Sequence, residues 1–224
     1  SVHGMRIARA WVLCNNTPML KKPRLFTAGP TPLHPEAIRA AAGPVPYHRT
    51  MEFAARFDRV QDGLRSAFRT QGPVAVLTTS GTGAMEAALA SLFVSGDRVV
   101  VVAGGKFGAR WGEIGAAYGL DVVEMIIEPG QPVTPAEVAT LVERSEPVRG
   151  LFLTASETST GTIYDVRSIA DAVRDIEPEI IAVVDAITSV GALPIGTDDW
   201  GLDAVIGGAQ KAFMVPPGLA FVAC

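Results

Sequence analysis

The sequence is poor in the residues that build metal centres and covalent staples. Among 224 residues, Cys14 and Cys224 are the only cysteines, and His3, His34 and His48 the only histidines. No Cys/His spacing of a structural zinc site is present. Two cysteines near opposite ends make no disulfide framework and fit a reducing, cytoplasmic compartment. No apolar run is long enough to span a membrane as a helix. Charge is scarce too. Charged residues make up 19% and the formal net charge is −4, which argues against a nucleic-acid phosphate backbone as partner. What is plentiful is apolar: 48% of the chain, enough for one substantial core and too much for disorder.

The first residues read apart from the rest. Ile7-Ala8-Arg9-Ala10-Trp11-Val12-Leu13 is short and broken by an arginine, a poor secretory core. Met19 reads as a natural start leading into the fold. Residues 1–24 are therefore expected to be an extension, tag-derived or disordered, and residues 25–224 one large domain.

Beyond a proline-rich opening, Phe53, Phe57, Val60, Leu64 and Ala67 recur at helical spacing. Strands and helices then alternate. Val74–Thr79, Arg98–Ala103, Val122–Ile127, Gly150–Ala155, Ile180–Asp185, Ala204–Gly208 and Leu219–Ala223 read as seven strands. Thr134-Pro135-Ala136-Glu137 is a capping box with proline at the first helical position. Asp165 can cap a helix whose buried stripe is Val166, Ile169, Ala170, Val173 and Ile176. This alternation means a largely parallel sheet with helices on both faces.

Ligands of such sheets bind beyond the carboxyl ends of the strands, and several groups stand there. Thr79-Ser80-Gly81-Thr82-Gly83 joins a strand to a helix and reads either as a phosphate seat or as a tight, well-capped turn. It lacks the lysine of a Walker loop and the third glycine of a dinucleotide fingerprint. Trp111 can stack on a flat ring or serve as core; Lys106 and Arg110 read most simply as solvated charges. Glu157-Thr158-Ser159-Thr160-Gly161 offers hydroxyls to a ligand or forms an ordinary turn. Ile187 lies two residues past Asp185, so it can press on the ring face opposite Trp111. Asp185 and Lys211 each end an apolar run. A carboxylate able to pair with a ring nitrogen, beside an amine able to bond an aldehyde, suggests pyridoxal phosphate chemistry.

Together these segments resemble the class V aminotransferases, most closely their alanine–glyoxylate/serine–pyruvate branch. The likeness is carried in order by Ala28-Gly29-Pro30-Thr31-Pro32, Ser80–Glu86, Phe107–Trp111, Glu157–Gly161, Asp185-Ala186, Gln210-Lys211 and Pro216–Phe221. The resemblance implies an α/β fold, the large domain of a fold-type-I pyridoxal-phosphate transferase. Its three αβα layers would hold a seven-stranded, mostly parallel sheet with the last strand antiparallel. It further implies that Lys211 holds the cofactor and shuttles a proton, while Asp185 keeps the pyridine nitrogen protonated. Ser80, Gly81, Thr82 and Gln210 would hold phosphate, and Thr158 would lie near the ring hydroxyl. Trp111 and Ile187 would sandwich the ring, and Gly29 would line the substrate mouth. No chemistry is assigned to His48 and Arg49.

In the resembled family a small C-terminal domain follows the last strand and supplies the arginine that clamps the substrate carboxylate. This chain stops at Cys224, so a fragment of a longer enzyme is expected, inactive or impaired as it stands. The implied reaction is transamination between alanine or serine and glyoxylate or pyruvate, in a homodimer, with no metal, nucleic acid or membrane. Two other readings stay open: a cofactor-binding or dimerising fragment without turnover, and another pyridoxal reaction such as a lyase or desulfurase, for which neither cysteine looks placed.

Overall fold

The structure, a computed structural model, describes residues 25–224; the expectations for residues 1–24 lie outside the described residues. The apolar runs become strands of one twisted sheet. In chain order these are β1 (Val74–Leu77), β2 (Arg98–Ala103), β3 (Asp121–Ile126), β4 (Gly150–Thr154), β7 (Ile181–Asp185), β8 (Ala204–Gly208) and β9 (Ala220–Ala223). They lie in the order β1-β9-β8-β7-β4-β2-β3. β3, β2, β4, β7 and β8 are mutually parallel, while β9 runs antiparallel to both β8 and β1. The seven expected strands are thus present, with ends shifted by a residue or two. A two-stranded ribbon, β5 (Ser156–Glu157) with β6 (Thr162–Ile163), adds an element the apolar pattern does not announce.

Helices α1 (Pro35–Ala41), α2 (Met51–Phe68), α3 (Gly81–Leu92), α4 (Lys106–Ala117), α5 (Pro135–Ser145) and α6 (Val166–Arg174) flank the sheet. The strands are continuous apolar runs because both sheet faces are covered. One face carries a core of Leu89, Phe93, Val99, Val101, Trp111, Phe152 and Val183 beneath α3 and α4. The other carries Val100, Leu151, Val184 and Val205 beneath α5 and α6. The capping box of α5 forms in full: Thr134 Oγ1 accepts from Glu137 N–H, and the Glu137 carboxylate accepts from Thr134 N–H at 2.8 Å. In α6, Asp165 caps Ser168 N–H at 3.1 Å. Val166, Ile169, Ala170 and Val173 are buried as the spacing requires, but Ile176 falls past the helix end and is 36% exposed. Of the expected α2 stripe only Leu64 is buried, with Phe68 beside it, and Phe57 and Val60 are over 40% exposed.

Candidate active site

The parallel strands deliver their carboxyl ends to one edge, where the connecting segments form a cleft of about 150 Å³. Five strands contribute, through residues at their ends or just beyond. After β1 come Ser80, Gly81 and Thr82, which open α3. After β2 come Phe107 and Arg110 in the first turns of α4, and after β4 come Ser156 and Thr158. Asp185 closes β7 with Ile187 and Thr188 behind it, and Gln210 and Lys211 follow β8.

Asp185 is 4% exposed, and its Oδ1 accepts the Ile187 N–H at 2.9 Å. Among the described residues that is its one side-chain hydrogen bond. Burial, the largest influence, pushes its carboxyl up to about 6 from an ordinary 3.8. The Ile187 bond opposes this, nearby Glu157 adds to it, and Lys211 and Arg110 draw it down again. A buried carboxyl raised in this way favours a cationic partner that would restore its charge.

Lys211 leaves the sheet on a turn pinned by the N-terminal segment. Thr31 N–H donates to Gln210 O at 2.9 Å, and Thr31 Oγ1 to Lys211 O at 2.7 Å. Lys211 Nζ donates to the Ala28 carbonyl at 2.8 Å. A Cβ added at Gly29, where φ is +130°, would overlap Lys211 Nζ, so a bare backbone is what lets this segment close over the amine. Burial lowers the Lys211 ammonium below the usual lysine range, with Asp185 pulling the other way. A lysine so placed reaches its neutral, nucleophilic form more readily.

At the start of α3, Ser80 Oγ accepts from Gly83 N–H at 3.4 Å. The first residues of the helix, Gly81 and Thr82, line the cleft, and the N–H groups of a first helical turn have no partner within the helix and suit an anion. Gly81 faces Ile187 so closely that a Cβ there would overlap the isoleucine Cδ1.

Eight of the expected residues therefore meet in one cleft: Ser80, Gly81, Thr82, Thr158, Asp185, Ile187, Gln210 and Lys211. Gly29 sits against the lysine at its rim. Trp111 does not join them. It is fully buried, stacks on Phe152 at 4.7 Å between centroids, and its indole N–H has no partner. The core reading of Trp111 holds, because its side chain packs against Phe152 in the sheet core and not into the cleft that the adjacent Arg110 lines. The aromatic ring at the cleft is Phe107. Arg110 is likewise no freely solvated charge: it lines the cleft, donates to Thr82 Oγ1 at 3.2 Å, and lies 5.4 Å from the Phe107 ring centroid. Glu157, expected only as part of a hydroxyl-rich turn, is fully buried.

Known proteins share this arrangement. Residues 28–224 match the family described as aminotransferase class-V. The soluble hydrogenase small subunit of a Synechococcus species is 42% identical over 91% of this chain and 53% of its own length. The serine–glyoxylate aminotransferase of Hyphomicrobium methylovorum is 32% identical over 92% of this chain and 51% of its own. Among solved structures, a subgroup IV aspartate aminotransferase from Thermus thermophilus superposes with a TM-score of 0.85 at 41% identity. It covers 90% of this chain and 56% of its own. The chain belongs to the class V aminotransferase family, whose members depend on pyridoxal phosphate. It spans about half the length of the curated relatives it matches.

The residues present fit that cofactor. A pyridine nitrogen, an aldehyde and a phosphate call for a buried acid, an amine of lowered basicity and an anion seat. The cleft offers Asp185, Lys211 and the α3 N-terminus in that order. Two glycines, Gly29 and Gly81, keep it open where any side chain would crowd the lysine or the isoleucine. Among the described residues no cluster could hold a metal ion, and no helix is long and apolar enough to cross a membrane.

Proposed function

We propose that this chain is the cofactor-binding domain of an aminotransferase that moves an amino group between alanine or serine and glyoxylate or pyruvate. The observation that carries the reading is the pairing of a buried Asp185 with Lys211 in one cleft, beside the anion-seating start of α3. The serine–glyoxylate relative supports the donor and acceptor class.

When bound, pyridoxal phosphate supplies an electron sink for bond breaking at the substrate α-carbon. Asp185 would pair with the ring nitrogen and keep it protonated. Lys211 Nζ would anchor the cofactor and carry the proton to or from the α-carbon as general base and acid. Ser80, Gly81, Thr82 and Gln210 would hold the phosphate, and Thr158 would orient the ring hydroxyl. Ile187 and Phe107, which line the cleft, would flank the ring, a place the buried Trp111 does not reach. Gly29 leaves the mouth open for substrate. The protein works as a homodimer in the cytoplasm, with the exposed Met51, Phe57 and Val60 of α2 available for burial between subunits.

Desulfuration has less support. It needs a mobile cysteine at the cleft, whereas Cys224 follows β9, whose end pairs with the beginning of β1 on the opposite edge of the sheet. A domain that binds cofactor without turnover is separated by experiment. The purified protein should develop visible absorbance with pyridoxal phosphate, and borohydride should fix the label on Lys211 and leave Lys211→Ala unlabelled. In the full-length enzyme, alanine or serine with glyoxylate should then give the oxo acid. Colour without product would leave binding alone, and a colourless wild type at saturating cofactor would end the proposal.

A further inference from the structure

Arg110 is the permanent cation of the cleft, and the family reading gives it no task. Among the described residues it makes no ion pair. One guanidinium N–H is directed at Thr82 Oγ1 at 3.2 Å, and the planar group lies 5.4 Å from the centroid of Phe107. Thr82 belongs to the first turn of α3, where unpaired backbone N–H groups collect. The arginine therefore stands at the anion-seating end of the cleft, reaching across from α4.

Charge decides what it is for. A phosphate monoester carries about −1.5 to −2 charges near neutral pH. A helix N-terminus offers the equivalent of only about +0.5. Ser80, Thr82 and Gln210 are neutral, and the other cation lining the cleft, Lys211, must give up its charge to bond the cofactor. An arginine, never deprotonated and able to donate two parallel hydrogen bonds, closes this gap.

We propose that Arg110 is a phosphate-binding residue, its guanidinium swinging from Thr82 onto the phosphate oxygens while stacked against Phe107. The proposal rests on the pyridoxal phosphate reading and assigns it a further ligand. A competing use, clamping the substrate carboxylate, would require the arginine at the open mouth beside Gly29 and Lys211. Its contact is with α3 instead.

The test compares pyridoxal phosphate with pyridoxal, which lacks the phosphate, by absorbance titration of wild type, Arg110→Gln and Arg110→Lys. A charge-assisted contact of this kind implies an affinity loss of about tenfold to a hundredfold for pyridoxal phosphate in Arg110→Gln. Pyridoxal affinity should stay unchanged, and Arg110→Lys should recover part of the loss. Equal losses for both ligands, or none for either, would overturn the assignment. So would unchanged cofactor binding with a raised KM for the amino acid, which would mark a substrate clamp. Inorganic phosphate alone supplies an independent arm: it should raise the Tm of wild type more than that of Arg110→Gln. If that difference appears while pyridoxal phosphate fails to bind wild type, the anion seat stands and the cofactor reading falls. If phosphate protects both proteins equally, Arg110 is not its ligand.

Discussion

The carboxylate of Glu157 accepts the backbone N–H groups of Phe107 and Gly108, each at 2.9 Å, and so fastens the first turn of α4 to the β5 strand. Its second oxygen takes Ser159 N–H at 3.1 Å and Ser159 Oγ–H at 2.6 Å. The residue preceding α4 is Gly105, which has no side chain to cap with, so an acid from the β5 strand, distant in sequence, does that work and favours the positive helix end. Glu157→Gln keeps the shape but turns an amide N–H₂ toward one set of donors. It should lower unfolding free energy by about 1.5–3 kcal/mol, read from urea denaturation. An unchanged midpoint and slope would mean that the cap contributes nothing.

Asp185 makes the cofactor-free protein pH sensitive in a specific direction. Its folded-state value, about 6, lies above the 3.8 of an exposed aspartate, so the folded state holds this proton more tightly than the unfolded one. The stabilisation is complete below about pH 4 and is lost as pH rises through 6. At about 1.4 kcal/mol per unit the loss is on the order of 3 kcal/mol. Urea melts across that range should show wild type losing stability relative to Asp185→Asn by this order. Parallel curves for the two proteins would contradict the burial of an ionisable acid here.

Phe107 and Trp111 should separate cleanly under mutation. Phe107→Leu removes a ring from the cleft wall, and aromatic stacking is worth about 0.5–1.5 kcal/mol. Cofactor affinity should fall about two- to tenfold, with the unfolding midpoint nearly unmoved. Trp111→Phe shrinks a fully buried side chain stacked on Phe152. That should cost about 1–3 kcal/mol of stability and leave affinity alone. The reverse pattern, seen in titration and melts together, would return Trp111 to the cofactor.

Much of this was legible in the chain because parallel strands buried on both faces leave unbroken apolar runs such as Ile180–Val184. The chemistry sits where such runs stop. Asp185 and Lys211 therefore fall at one sheet edge on the sequence pattern alone. The sequence pattern alone does not separate the stacking from the core role of Trp111. Two aromatics four residues apart lie on neighbouring parts of one helix face, and only the exact start of α4 decides which reaches the cleft. Arg110 reads as a surface charge until α3 is brought alongside. Glu157 gives no local signal at all, since its partners Phe107 and Gly108 lie far away in sequence and a two-residue ribbon is too short to show a period.

The position of β9 has a consequence for how this chain comes to exist. β1 lies at the margin of the sheet and pairs there with β9, joining Val74 to Ala223. A ribosome adding about 5–20 residues per second takes roughly 7–30 s to travel between them. During that interval the apolar Val74–Leu77 strand has emerged while the strand that will insert beside it is still unmade. Synthesis of β9 is therefore the step that closes the sheet, and a nascent chain waiting for it is a natural client for chaperones that shield unpaired strands.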